Sequence, residues 1–343
     1  MNKVKKFQDT LYEHYVYLGD VIPLATPFTL LIDPTNACNF KCTFCPTGDK
    51  QLLKKVGRPI GLMNFDLFRK IIDDLDGFEH KLKKLQLYKD GEPLLNKQLP
   101  KMIAYAKSRG VAEVIETTTN GSLITPKIAE AIIDSGLDRI RISVEHVSNM
   151  GYREITKTEQ TYDAILDNIR LLHKTKKQKK SSLHIHTKIV DSGLTEYEKQ
   201  KFYSDFSPFS DTMNVDGLMD WGGADTHGRV FSLSTNPERS INNVEPLSQN
   251  RLVCSAPFKG MAINFNGQAS VCCVDWSLET IVGNVAETSI LEIWNGEAMR
   301  NFRIKHLRGL RSQLTACASC KYMQGFSKYE DIDGKSHEIL RSI

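Results

Sequence analysis

The chain has 343 residues, of which 41% are hydrophobic and 25% charged, with a formal net charge of +4. That balance suits a folded globular protein with one barrel-sized domain and a smaller one. It excludes a nucleic-acid binder built on a concentrated basic face, and no apolar run reaches the ~18 residues of a membrane span. The basic run from Lys174 to Lys180 reads as a solvated helix end. The first ten residues carry charge but no apolar signal core, so a cytoplasmic protein is expected. In a reducing compartment, eight cysteines point to metal rather than to disulfides.

Residues 3–18 place Val4, Phe7, Leu11, Tyr15 and Leu18 at helix spacing, which predicts an amphipathic N-terminal helix within a unit 1–27. Pro23 and Pro27 end it. Phe28 to Ile32 is an apolar run that reads as a buried strand. On the loop behind it, Cys38, Cys42 and Cys45 form a Cys-x3-Cys-x2-Cys pattern. Three thiolates so close can converge on one [4Fe–4S] cube and leave its fourth iron open to another molecule. A zinc knuckle, the plainer alternative, usually wants paired Cys-x2-Cys units and four protein ligands. Residues 47–61 are polar and punctuated by Gly and Pro, and are expected to form a mobile loop over the site.

Strands and helices then alternate. Asn64 caps a helix to about Leu75, Lys84–Tyr88 is a strand, and Asp90-Gly91-Glu92-Pro93 is the turn after it. A helix over 97–109 ends at Gly110, and the strand Val114–Thr119 runs into Asn120-Gly121. A helix over 125–135, the strand Arg139–Val144, a helix over 160–174 and the strand Ser182–Val190 follow. A helix over 195–206 and the strand Thr212–Leu218 close the series, with Trp221-Gly222-Gly223 as a flexible rim. Strand–helix units in this order predict an α/β fold, a parallel sheet with right-handed crossovers. The cysteine loop lies at a strand's C-terminal end, where such folds keep their active sites. His184, His186 and Lys188 alternate along one strand as a polar comb that faces either a cavity or a helix layer. Lys188 or His186 could bind a carboxylate or move a proton.

Residues 224–251 read as a linker, 252–322 as a second module and 323–343 as a charged tail. Cys254 precedes a hairpin signalled by Asn266-Gly267 between alternating runs; Cys272 and Cys273 end it. A helical pattern over 287–306 leads back to Cys317-Ala-Ser-Cys320. Four of these five thiols could hold a second cluster or one structural zinc.

The stretch from Pro34 to Pro46 resembles the cluster loop of the radical S-adenosylmethionine (radical SAM) superfamily. The resemblance implies a partial (β/α)6 TIM-like barrel with Cys38, Cys42 and Cys45 as cluster ligands. It implies SAM at the open iron and its cleavage to a 5′-deoxyadenosyl radical that abstracts hydrogen from substrate. In the family an aromatic at the position of Phe44 lies near the adenine. Asp90-Gly91-Glu92-Pro93 resembles the Gly-Gly-Glu-Pro turn that meets SAM's amino group, with Asp in place of the first glycine. Thr119-Asn120-Gly121 resembles the turn bordering the SAM pocket, and Ser143 and Glu145 match polar positions near the ribose and methionyl groups. Gly267-x4-Cys272 resembles the opening of SPASM/twitch auxiliary-cluster domains, which implies one auxiliary [4Fe–4S] cluster on Cys254, Cys272, Cys317 and Cys320 in a small hairpin-plus-helix domain.

The resemblance to twitch dehydrogenases acting on aminocyclitols implies two-electron oxidation of a carbohydrate or aminocyclitol alcohol. A flavodoxin or ferredoxin would be the reductant. Three alternatives remain. The first is an epimerase with Cys273 as hydrogen donor. The second is a maturase of ribosomal peptides; the 27 residues before the first strand argue against a fused peptide-recognition domain, though not against one supplied as a separate protein. The third is a non-catalytic iron–sulfur redox module.

Overall fold

The computed structural model describes residues 5–6, 16–217 and 251–343. Six parallel strands form its centre: β2 (Thr29–Ile32), β3 (Leu82–Gln86), β4 (Ala112–Thr119), β5 (Arg139–Val144), β6 (His184–Val190) and β7 (Thr212–Asp216). They pair in sequence order. The helices are α1 (Lys50–Lys55), α2 (Phe65–Asp74), α3 (Leu99–Arg109), α4 (Pro126–Asp134), α5 (Asn149–Thr156), α6 (Tyr162–Gln178) and α7 (Glu196–Phe206). The side chains of Asn64, Thr125, Thr161 and Thr195 cap α2, α4, α6 and α7. Each accepts an otherwise orphaned N–H of the first turn. Gly110 ends α3 at φ 62°, a left-handed conformation that suits glycine. The result is the expected partial TIM-like α/β barrel.

Period-two alternation divides each strand between two environments. Leu85, Ile115, Ile140, Ile142, Ile185 and Ile189 are fully buried in the main hydrophobic core. The residues between them are polar.

Four features differ from the sequence reading. Lys5–Lys6 forms a short strand, β1, beside Thr212–Met213, so residues 3–18 are not one helix. Backbone pairing at the open sheet edge wins there over helix periodicity. The stretch 47–61 contains α1, whose N-cap Asp49 accepts from Gln51 and Leu52, and its later residues are pinned to the cysteine loop. The short helix α5 was not foreseen. The helical pattern over 287–306 breaks at Gly296 into Ile290–Asn295 and Glu297–Leu307.

The hairpin, β8 (Gly260–Ile263) and β9 (Gln268–Ser270), is present but is not detached. β8 pairs in parallel with β2 from Thr29↔Gly260 to Ile32↔Ile263, and β10 (Ile281–Asn284) adds to β9. Among the described residues, ten strands make one sheet in the order β1-β7-β6-β5-β4-β3-β2-β8-β9-β10. Gly260 makes this join possible, since a Cβ there would lie 2.3 Å from the Thr29 carbonyl oxygen. The C-terminal residues Ile332 and Ile339 pack with Leu18, Val253, Phe258 and Leu307 in a second small core. Trp221-Gly222-Gly223 and the linker through residue 250 lie outside the described residues. Among the described residues no helix is long and apolar enough to cross a membrane.

Candidate functional site

The cysteine loop leaves the end of β2 and is held from three sides. At its start, the Asn36 amide donates to Pro59 O at 2.7 Å and accepts from Gly61 N at 3.0 Å. Thr35 Oγ1 donates to Gly61 O at 2.7 Å. In its middle, the N–H groups of Lys41 and Thr43 donate to the last carbonyls of α5, Thr156 and Ile155, at 2.9 and 3.0 Å. Phe40 anchors the loop edge-on against Tyr152 of α5, with ring centroids 6.2 Å apart. Cys38, Cys42 and Cys45 lie within electrostatic reach of one another. Burial pushes all three thiols up, Cys38 to about 12. Three clustered thiols that the protein alone keeps protonated are a donor set suited to a cation, which would favour the thiolates.

The turn after β3 docks on this loop. Gly91 is required, because a Cβ would lie 2.3 Å from the carbonyl oxygens of both Thr35 and Ala37. Its missing side chain admits the cysteine loop's own backbone. Glu92 N–H donates to Ala37 O at 2.8 Å. The buried Glu92 carboxylate accepts from Leu94 N at 3.0 Å, Thr119 Oγ1 at 2.7 Å and Asn120 N at 2.7 Å. Its hydrogen bonds therefore tie the ends of β3 and β4 together. Asn120 Nδ2 donates to Asn39 Oδ1 at 2.9 Å, next to Cys38, so the Asn-Gly turn also supports the loop. Phe44 is half-buried on the loop, and Ser143 half-buried on β5. Glu145, just beyond β5, is buried and its charge reaches Cys38 and Cys42. Burial raises its carboxyl to about 7 against the opposing pull of Lys188.

Asp90, the departure from the double glycine, has a structural reason. It pairs with Arg58 and, at 2.6 Å, with Lys89, in a buried group. Asp33 lies close by, and burial, then the Asp90 charge, raises its carboxyl to about 7. Lys89 Nζ also donates to Asp275 O at 3.2 Å. Trp276 Nε1 donates to Thr47 Oγ1 at 3.0 Å, and Thr47 Oγ1 donates to Asp90 O at 3.0 Å. The Arg58 guanidinium stands 4.8 Å from the centre of the Trp276 ring. This bridge joins the two cysteine sites through Arg58, Lys89, Thr47 and Trp276, which the sequence reading did not single out, and through Asp90, which it did. The only sequence signal was Asp90, where the resembled turn has its first glycine.

In the second site, Cys254, Cys272, Cys317 and Cys320 wall one apolar cavity. Arg311 donates to Cys317 O and, at 2.8 Å, to Cys320 O, and so clamps the Cys-x2-Cys turn. Leu252 and Val253 N–H donate to the Asp333 carboxylate at 2.9 and 2.8 Å, which positions Cys254. Burial raises the Cys254 thiol to about 11 and pushes Cys317 up as well. Among the described residues no three Cys, His, Asp or Glu side chains converge on a point that one metal ion would fill.

His306 lines the same cavity at 1% exposure, and neither ring nitrogen has a hydrogen-bond partner. Such a buried polar group is costly unless something in the cavity receives it. Four thiols around the cavity and an unsatisfied imidazole in its wall fit an iron–sulfur cluster.

Cys273 is not among the residues that wall this cavity. Its Sγ lies 3.6 Å from the Tyr322 hydroxyl and within electrostatic reach of Tyr88 and Lys89. A hydrogen bond from Cys272, and after it Tyr322 and the Lys89 charge, pull its thiol below the ordinary range.

The polar comb on β6 faces the barrel interior. Contacts that skip a strand settle this: Arg141 on β5 reaches the Tyr88 hydroxyl at the end of β3, at 3.4 Å. His184 and His186 both contact Thr212 Oγ1, at 2.8 and 2.9 Å, and Lys188 pairs with Asp216 at 3.2 Å.

Two family patterns match the chain: that of the Radical SAM superfamily over residues 32–194, and that of an iron–sulfur cluster-binding domain, SPASM, over 254–321. A tungsten-containing aldehyde ferredoxin oxidoreductase cofactor-modifying protein of Pyrococcus furiosus is 23% identical over 334 residues, 89% of this chain and 90% of that protein. A probable GTP 3',8-cyclase of Methanococcus maripaludis is 34% identical over 129 residues, which cover 38% of this chain and 39% of that relative. Streptococcus suis SuiB bound to precursor peptide SuiA shares the fold with a TM-score of 0.63 at 14% identity, over 90% of this chain and 72% of that one. BtrN in complex with AdoMet and 2-DOIA does so with a TM-score of 0.53 at 16% identity, over 86% and 93%.

Proposed function

We propose that this chain, which belongs to the radical SAM superfamily and carries a SPASM iron–sulfur domain, performs a two-electron oxidation of an alcohol on a small carbohydrate-like molecule. When bound, its clusters and SAM supply a 5′-deoxyadenosyl radical and a nearby electron acceptor. Cys38, Cys42 and Cys45 hold the first cluster, beside which the half-buried Phe44 and the buried Glu145 line the SAM side. The turns at Gly91, Glu92 and Asn120 fix the loop that presents the three thiols. Cys254, Cys272, Cys317 and Cys320 hold the auxiliary cluster.

The observation that carries this reading is the four-thiol cavity with a fifth thiol, Cys273, left outside it. A cluster with four protein ligands has no open iron for substrate, so its role is to take an electron. The cavity is joined to the barrel mouth by the Lys89–Asp275 and Trp276–Thr47 contacts.

One observation favours a second reading, epimerisation. Cys273 lies within electrostatic reach of Tyr88, at the end of β3, where a thiol could return a hydrogen atom to the opposite face of a substrate radical.

Iron and sulfide analysis of anaerobically prepared protein tests the cofactor assignment. The wild type is expected to hold about eight irons and a Cys38/Cys42/Cys45→Ala variant about four. About four in the wild type and none in the variant would remove the electron acceptor, and redox-neutral chemistry would lead. Turnover in heavy water separates the two reactions, because epimerisation leaves deuterium in the product whereas oxidation yields a carbonyl.

A further inference from the structure

The helix α5 brings one side chain to the first cysteine site that no motif marks. Ser148 caps the helix, its Oγ accepting from Gly151 N at 3.2 Å. Gly151 lets the first turn press on the residue after Glu145, since a Cβ there would lie 2.2 Å from His146 Nδ1. At the other end Lys157 closes the helix at φ 53°. The carbonyls of Ile155 and Thr156, orphaned by the helix end, accept from Thr43 and Lys41, the two neighbours of Cys42. Tyr152 lies one turn earlier, on the same side of the helix as these two residues.

Tyr152 is fully buried, and its ring meets Phe40 edge-on. Its hydroxyl lies within electrostatic reach of Glu145, Cys42 and Glu92, which come from the end of β5, the cysteine loop and the turn after β3. The Glu145 backbone N–H faces the oxygen, yet no protein group accepts the proton. Among the described residues it is the one buried tyrosine hydroxyl left in this state. Tyr162, by contrast, donates to Asp205. A buried O–H without an acceptor is costly, so its acceptor belongs to the loaded site. A protonated thiol accepts weakly. A Cys42 thiolate holding iron is charged and accepts strongly.

We propose that Tyr152 is a positioning residue for the first cluster: its hydroxyl donates to the Cys42 thiolate once that thiolate holds iron, and so sets the cluster's reduction potential. This rests on the assignment of Cys38, Cys42 and Cys45 to a cluster and deepens it. A hydrogen bond to a cluster's sulfur favours the more negative, reduced state and raises the potential.

The test uses the full chain, reconstituted anaerobically, with iron analysis and a redox titration followed by electron paramagnetic resonance in the absence of SAM. The first cluster's signal is the one missing from the Cys38/Cys42/Cys45→Ala variant. Tyr152→Phe keeps the ring and its packing on Phe40, and should keep about eight irons. Its first cluster should titrate at a more negative potential, so that the oxidised-to-reduced ratio at one fixed potential rises about threefold or more. Tyr162→Phe, which removes a hydroxyl on α6, should not move it. A ring-fluorinated tyrosine in place of Tyr152 is a stronger donor and should shift the potential the other way; it carries the test if Tyr152→Phe takes up no first cluster. An unchanged potential with iron retained overturns the proposal. So does weakened SAM binding at unchanged potential, which would give the hydroxyl to SAM instead. A wild type with no more iron than the triple alanine variant condemns the cluster assignment itself.

Discussion

The first cysteine site draws all its thiols from one loop, Cys38 to Cys45, while the second gathers four from separate segments between Cys254 and Cys320. The first is shaped by backbone hydrogen bonds from the end of β3 and the last turn of α5 and by the Asn120 amide beyond β4, with glycine at the closest contact. The second is shaped by side chains, Arg311 clamping one turn and Asp333 another. The difference matches what each is proposed to hold. A cluster with an open iron needs a loop placed at strand ends, where a second ligand can approach. A closed cluster needs an enclosed cavity, and converging chain segments can wall one.

Removing ligands tests this contrast with the largest effect. Cys38/Cys42/Cys45→Ala should abolish 5′-deoxyadenosine formation and leave about four irons, whereas Cys254/Cys272→Ala should keep about four irons and still cleave SAM. If either variant loses all its iron, the two sites are not independent.

Gly91→Ala comes next. Its Cβ would press on the Thr35 and Ala37 carbonyls at 2.3 Å, so the loop must shift. Overpacking of this kind costs ~1–3 kcal/mol. SAM cleavage is expected to fall by about a hundredfold, because small displacements of a reacting group are costly. The second site's iron should stay, and an unchanged rate would show that the loop yields freely.

His306→Phe probes the second site alone. Iron content should hold, while the auxiliary cluster's reduction potential, read by spectroscopic titration, moves to more negative values because a hydrogen-bond donor to the cluster is lost. An unchanged potential would mean that the imidazole does not face the cluster.

The smallest effect is expected at the bridge. Trp276→Phe removes the hydrogen bond to Thr47 and should cost about 1 kcal/mol in thermal unfolding, with both clusters retained. Loss of the first cluster in that variant would show that the bridge, rather than the loop's own backbone contacts, holds Cys45 in place.

Local chemistry by itself determined the strand–helix order, the helix cap at Asn64, the hairpin at Asn266-Gly267 and the spacing of the first three cysteines. These depend on neighbours in sequence, and period and turn chemistry report them directly. Tertiary structure alone decided the rest. β8 joins β2, because parallel pairing of distant segments leaves no local signature. Cys272 rather than Cys273 walls the cavity, because both lie in the turn beyond β9, whose course is set by what it packs on rather than by local periodicity. Gly91 meets the cysteine loop's backbone, and Asp90 has its reason in Arg58 and Lys89. The comb of His184, His186 and Lys188 faces the barrel interior because the apolar partners on the same strand are taken by the helices, a choice made by packing across the whole sheet.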